Sequence, residues 1–551
     1  MTKKKMAALF CAMTFVYGGQ AGQVYAEAVA DIGLTAFSAA RQTAPQVIVT
    51  GGRIFGYVDE QGVSTFKGIP FAASTAGKNR FRPPQPVEPW QGVKDCTSFG
   101  PIAVQPEATT LGGASPWTEE YLDLGMNLKN GKMSEDCLSL NVWTKARSGE
   151  KRPVIVYIHG GANMSGSSQN DVYTGQDISQ KGVVYVSINY RVGIFGFLAY
   201  RDKTGEEASG NYALMDQIAA LRWVQDNIAS FGGDPGNVTI MGQSAGSINV
   251  QNLIASPAAA GLFQKAVALS FNNVTTDYPV FMEPEKAKAE AGKALGERTL
   301  EELRSMSAKE ILSLGYTPTT VVRGTETESV PLPEAFATGR WNRVSMIWGG
   351  VAGDPYIFDG VLSLGNAFEP LNSISDADYV GAVRKGLGAE AGKALSLYPA
   401  GKDALGAARA VNNDYLISSY FEAARQKDSS DGNFKTYIYF YDHVLPDTPE
   451  RKAKNGAFHT SDVNYWLNHY TKAYPRNWTE ADYALGEAMS SYLVNFASTG
   501  NPNGRDHYGK KLPLWKAADA SKDIAFLHLG DKVRWEEMDH GKSEFWKKHR
   551  K

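Results

Sequence analysis

The chain has 551 residues, enough for one large α/β domain or several ordinary ones. It is 43% hydrophobic and 21% charged, with a formal net charge of -2, the composition of a soluble globular protein. That balance argues against a nucleic-acid-binding surface, which needs a concentrated excess of Lys and Arg; the basic end Lys547, Lys548, Arg550 and Lys551 reads as a solvated tail.

Residues 1–26 read as a signal peptide. Lys3, Lys4 and Lys5 precede "MAALFCAMTFVYGG", an apolar run too short to span a bilayer, and "VYA" at 24–26 or "AVA" at 28–30 offers small residues for cleavage. The protein is therefore expected to be exported, periplasmic or secreted, and to lose Cys11 with the leader. There is no other run of 18 or more apolar residues, so stable membrane insertion is not expected. Cys96 and Cys137 then remain as an even pair in an oxidising compartment, either bridged or as two buried thiols. A bridge would close a loop of about 40 residues, worth up to about 4 kcal/mol. Two cysteines without neighbouring histidines are too few for structural zinc, so no metal site is expected.

Residues 31–551 carry no Pro/Gly/Ser-rich linker and read as one domain. "QVIVTGGRIFGYVDEQGVSTFKGIPFA" alternates apolar and polar residues, an antiparallel meander. "PVIVYIHGG" from 153 and "VVYVSINYR" (183–191) are buried strands. "YALMDQIAALRWVQDNIASFG" has helical spacing and stops at Gly232. Strand "VTIM", a turn "GQSAG" and a helix over about 245–255 follow; "KAVALSF" (265–271), "VSMIWGGV" (344–351) and "KTYIYFYDHV" (435–444) are further strands. Strands alternating with helices predict a mostly parallel sheet covered on both faces, an α/β fold. The segments 283–340 and 370–430 read as helical insertions.

Ser244 stands between a strand and a helix, flanked by Gly242 and Gly246. That is the context in which a Gly-x-Ser-x-Gly turn lifts a nucleophile to substrate, with the helix start favouring a developing oxyanion. "HGGANMSGS" (159–167) follows a neighbouring strand, and its glycines allow backbone N–H groups to face outward. Both loops fall at strand C-terminal ends, where open α/β sheets place their sites. A serine there needs a histidine base. Of eight histidines, His443 at a strand end and His459 in the loop "GAFHTSDVNY" are the candidates. The acid lies in "VSMIWGGVAGDPYIFDG", as Asp354 or Asp359.

These residues carry a resemblance. "FKGIPFA", "RFRPPQPVEPWQGV", "SEDCLSLNVW", "INYRVGIFGFLA", "GNYALMDQIAALRWVQDNIASFGGDPGNVTIMGQSAGS" and "VNFASTGNPNG" stand in the order found in type-B carboxylesterases. That group includes para-nitrobenzyl esterases, fungal lipases and cholinesterases, and the resemblance covers nearly all of the mature chain. It implies an α/β-hydrolase fold and a serine ester hydrolase using an acyl-enzyme intermediate, with a small-molecule ester as partner and no cofactor. It implies Ser244 as nucleophile, His459 as base, Asp354 as acid, and an oxyanion hole from the N–H groups of Gly161, Ala162 and Ala245. It further implies a disulfide between Cys96 and Cys137. The alternatives are a non-catalytic cholinesterase-like binding or adhesion domain and, among enzymes, a lipase.

Three departures stand out. In "GGVAGDPYIF" Asp354 occupies the position of the family's Glu, Gly353 that of the preceding Asp and Pro355 that of the following Gly. The shorter acid must come closer to His459 by about one bond length. Gln243 replaces the usual Glu before the serine and is expected to leave the proton relay untouched. Asn163 stands where an aromatic is common, which is expected to open the pocket or make it more polar. Ala162 after Gly161 resembles loops of esterases that accept bulky tertiary-alcohol esters.

Overall fold

Seven strands run parallel through the centre of the molecule, and six of them contain a short apolar run legible in the sequence. The structure, a computed structural model, describes residues 44–106, 131–275, 280–327, 329–356, 360–362, 373–453, 456–471 and 475–550. The leader read at 1–26 and Asp359 lie outside the described residues. The large sheet has 11 strands. In chain order they are β1 (Tyr57–Val58), β2 (Ser64–Pro70), β3 (Ser139–Thr144), β4 (Arg152–Ile158), β5 (Val184–Ile188) and β6 (Gly233–Gln243). They continue as β7 (Lys265–Leu269), β8 (Ser345–Val351), β9 (Thr436–Tyr441), β10 (Ala525–Leu529) and β11 (Val533–Glu537).

Their spatial order is β11-β10-β9-β8-β7-β6-β4-β5-β3-β2-β1. The stretch from β10 to β5 is parallel throughout, and antiparallel strands close both ends. The parallel strands β5, β7 and β9 are buried along their whole length, which is why they read as continuous β-branched and aromatic runs. Alternate residues of β4 serve opposite faces. Val154, Val156 and Ile158 join one core with Leu221 and Leu253. Ile155 and Tyr157 join the other with Tyr492 and Phe496.

From β4 the chain goes to β5 on one side and then to β6 on the other. The crevice at the C-terminal ends of β4 and β6 is thus the topological switch point, where doubly wound sheets bind ligands. Helix α1 (Tyr212–Asn227) feeds β6, after Gly232 at φ 82° ends a short 3₁₀ turn. Helix α2 (Ala245–Ile254) leaves β6 and is buried along all its residues.

The insertion after β7 carries helices Pro284–Leu295, Leu300–Ser305, Ala308–Ser313 and Leu332–Thr338. Thr299 with Glu302 and Ser307 with Glu310 form capping boxes that start two of them. The later insertion contains Asp376–Leu387, Ala391–Leu397 and α3 (Ala404–Ser430). Helix α4 (Glu480–Thr499) presents Leu485, Met489, Tyr492 and Phe496 to the second core.

Two expectations change. The meander is split: Gln46–Val49 and Gly52–Phe55 pair with each other and with Val93–Asp95 in a separate three-stranded sheet, and only β1 and β2 join the large one. The expected Cys96–Cys137 disulfide is absent: both residues are buried free thiols. They occupy different surroundings. The Cys96 backbone is tied to Phe55 and Lys67, and the charges beside its thiol are Lys94 and Asp95. Cys137 instead faces the Asp216 and Arg191 charges. Burial pushes the Cys96 thiol up to about 12 and raises that of Cys137 as well, so both stay protonated and unreactive.

Candidate active site

Ser244 sits at the apex of the turn from β6 into α2, with φ 58° and ψ -125°. This is a region that side chains avoid, and it survives only where the surroundings hold it. The neighbours explain how. A Cβ on Gly242 would lie 2.4 Å from the backbone of Gly246, and one on Gly246 would lie 2.1 Å from the Ile158 carbonyl oxygen. Both positions therefore require glycine, and the turn is wedged against the end of β4. Helix α2 begins at Ala245, so its N-terminal N–H groups open beside Ser244.

The glycine loop arrives from β4, where Ile158 is in register with Gly242 of β6. A Cβ on Gly160 would lie 3.1 Å from Ser244 Cβ, so loop and serine turn touch. Gly161, Ala162 and Asn163 all have positive φ, at 118°, 53° and 57°. Among the described residues no hydrogen bond is made by the N–H of Gly161 or Ala162. His159 belongs to the scaffold of this loop. It stacks on Tyr190 with ring centroids 4.3 Å apart, and Nδ1 lies 2.8 Å from the Gly160 oxygen. Burial drops its imidazole to about 4, so it stays neutral at ordinary pH.

His459 and Asp354 meet directly. His459 Nδ1 lies 2.7 Å from Asp354 Oδ1, and both residues are more than nine-tenths buried. Asp354 Oδ2 accepts from the Val351 N–H at 2.9 Å, which fixes the carboxylate at the end of β8. The shorter acid reaches the ring because its turn sits on the histidine loop. Gly353 N–H donates to the Ala457 oxygen at 2.9 Å, and a Cβ on Gly353 would lie 2.7 Å from that oxygen. The glycine that departs from the family pattern thus permits the approach that Asp354 needs.

Gln243 contradicts the expectation that it stays clear of the relay. Its Nε2 lies 3.1 Å from His459 Nε2 and 3.5 Å from Nδ1. With Nδ1 facing the carboxylate, Nε2 is left as the base nitrogen, and the Gln243 amide nitrogen, close to both ring nitrogens, lies over the ring face rather than along the Nε2 lone pair. No hydrogen bond from Ser244 Oγ to His459 is seen among the described residues; the side chain one position earlier, Gln243, is in contact with the ring. The sequence marked Gln243 only as a substitution, and nothing in its spacing showed this contact. His443, the other candidate base, is held between Asp482 at 2.9 Å and Asp531 at 2.8 Å, away from the serine turn.

The carboxylesterase family profile matches residues 43–332 and 401–546. The chain belongs to the carboxylesterase family. The bovine (Bos taurus) carboxylesterase 4A is 30% identical over 89% of this esterase and 92% of its own length. The para-nitrobenzyl esterase of Bacillus subtilis is 30% identical over 83% of this chain and 91% of its own. A solved carboxylesterase of Geobacillus stearothermophilus superposes with a TM-score of 0.69 at 27% identity, covering 91% of this chain and 99% of that one. A solved PNB esterase superposes at 0.68 with 28% identity, covering 92% and 100%. The fold is accordingly the α/β hydrolase, and the esterase is a carboxylic ester hydrolase of a family that works through an acyl-enzyme.

Proposed function

We propose that Ser244, His459 and Asp354 carry the reaction. The observation that supports this most is the buried 2.7 Å contact between His459 Nδ1 and Asp354 Oδ1 beside the Ser244 turn. In this reading the Asp354 carboxylate accepts a hydrogen bond from Nδ1–H, which leaves the unprotonated Nε2 as base. Nε2 takes the Ser244 Oγ proton as Oγ attacks the ester carbonyl. The N–H groups of Gly161, Ala162 and Ala245 receive the oxyanion. The imidazolium then protonates the leaving alcohol, and water, deprotonated by the same nitrogen, releases the acid.

Small to medium esters, including bulky and aromatic ones, are the proposed substrates. The similarity to a para-nitrobenzyl esterase and the Gly161–Ala162 sequence support this. Hydrolysis of ethyl acetate without hydrolysis of tert-butyl acetate would remove the bulky-alcohol part. Export to the periplasm or medium is proposed from the basic and apolar N-terminal run; N-terminal sequencing of the protein recovered from culture tests it.

Labelling with a p-nitrophenyl phosphonate, followed by peptide mass mapping, tests the serine. The label is expected on Ser244, and Ser244→Ala is expected to lower kcat by about 10⁶. A label on another serine would overturn the assignment.

A further inference from the structure

The two sides of the proposed oxyanion hole come from different elements. Gly161 and Ala162 belong to the loop after β4, and Ala245 begins α2. Asn163 and Asn249 join them across 86 positions: Asn249 Nδ2 donates to Asn163 Oδ1 at 2.9 Å. Both side chains are almost fully buried, with exposures of 3% and 1%.

Each partner is fixed in turn. Asn163 Nδ2 donates to the Thr319 oxygen at 3.0 Å, and the Asn163 carbonyl accepts the Gly193 N–H at 2.7 Å. Asn249 lies four positions after Ala245 on the same helix face, so its side chain leans back toward the helix start. Beside it the Tyr190 hydroxyl donates to the His159 oxygen at 2.7 Å, which holds the root of the glycine loop. Ala162 and Asn163 are consecutive non-glycine residues with positive φ. Such a backbone persists only when outside contacts over-determine it, and asparagine tolerates the region better than most residues. Asn163 therefore does not open the pocket or add free polarity to it, because its amide is committed to Asn249 and Thr319.

We infer that Asn163 and Asn249 form a clamp of positioning residues that sets the spacing between the Gly161–Ala162 donors and the Ala245 donor, so that both sides reach one oxyanion. The inference rests on the donor assignment in the proposed mechanism. Neither asparagine touches the reacting atoms; each acts through the backbone beside it.

The test uses the full-length enzyme with Asn163→Ala, Asn249→Ala and the double variant. Active sites are counted with the p-nitrophenyl phosphonate, and kcat per counted site and KM are measured on p-nitrophenyl acetate. Affinity for a trifluoromethyl ketone, whose serine adduct places an oxyanion in the hole, is read alongside the urea midpoint. Each single variant is expected to lose about ten- to a hundredfold in kcat per site, the scale of a misplacement of about 1 Å. KM is expected to stay within about twofold. Ketone affinity should fall by the same factor as kcat, and the double variant should lose no more than the worse single.

Unchanged turnover per site with a lowered urea midpoint would reduce the pair to a structural contact and overturn the clamp. Losses that multiply in the double variant would overturn it too. If Asn163→Ala does not fold, Asn249→Ser shortens the arm from the helix side and is read in the same way. Failure of the phosphonate to label Ser244 in the unaltered enzyme would overturn the serine assignment and the clamp together. Normal labelling with unchanged turnover overturns the clamp alone.

Discussion

His459 Nδ1 and Asp354 Oδ1 stand 2.7 Å apart although 105 positions separate them in the chain. The contact is buried, so the carboxylate selects the ring tautomer and balances the imidazolium without competition from solvent. Asp354→Asn is expected to lower kcat by about 10⁴ with the fold intact. Circular dichroism and phosphonate-independent ester kinetics check both halves of that statement, and a loss of less than about tenfold would remove Asp354 from the relay.

Gly353 is the residue that makes a short acid workable. A methyl group there would press on the Ala457 oxygen at 2.7 Å and push the acid-bearing turn away from the histidine loop. Gly353→Ala is expected to lower kcat by about ten- to a hundredfold while KM changes little. The same substitution at the exposed Gly381, in the helix Asp376–Leu387 with no atom within 4 Å of its added Cβ, serves as control and should leave kcat in place.

Arg191 and Asp216 join "INYRVG" to "NYALMDQ" through a buried ion pair. The guanidinium donates to both carboxylate oxygens, at 2.8 and 2.7 Å, and both side chains are buried. Burial raises the Asp216 carboxyl pKa against the pull of Arg191, so the intact pair gains little net stability. Removing one partner strands the other charge. Asp216→Ala is expected to cost about 3–5 kcal/mol, visible as a lower urea midpoint.

His469 gives the esterase a pH-dependent stability term. Its Nδ1 lies 2.7 Å from Asp177 Oδ2 and its Nε2 lies 3.5 Å from Asp171 Oδ2, on the wall of a cavity of about 650 Å³ that also includes Tyr470 and Glu487. Burial pulls the imidazole down, but the two aspartates override it and raise it from 6.5 to about 9. A raised histidine contributes stability that is fully present below 6.5 and is lost as pH rises through about 9. The urea midpoint of the wild type is expected to exceed that of His469→Gln most at pH about 6, with the gap closing by pH about 10. A gap that stays constant over that range would show that the ring is held by packing rather than by charge.

The parts of the molecule that were legible in the amino-acid order are those set by neighbours in the chain. Continuous β-branched runs announced β4 to β9, because a strand covered on both faces has no polar side to show. β3 and the β10–β11 hairpin, short and near the sheet ends, were missed. The serine turn was legible because a strand, two glycines and a helix are adjacent in sequence, and the geometry they impose is local.

What the tertiary structure alone decided depends on groups brought together from far apart. His443 and His459 both follow apolar segments, and only packing sends one between Asp482 and Asp531 and the other to Asp354. Two cysteines in one chain do not bond unless the fold aims them at each other; here the fold places Cys96 beside Lys94 and Cys137 beside Arg191 and Asp216. Gln243 against His459, and Asn163 against Asn249, are contacts across 216 and 86 positions. No local pattern encodes them, because each distance is set by how β4, β6 and the loops above them close on one another.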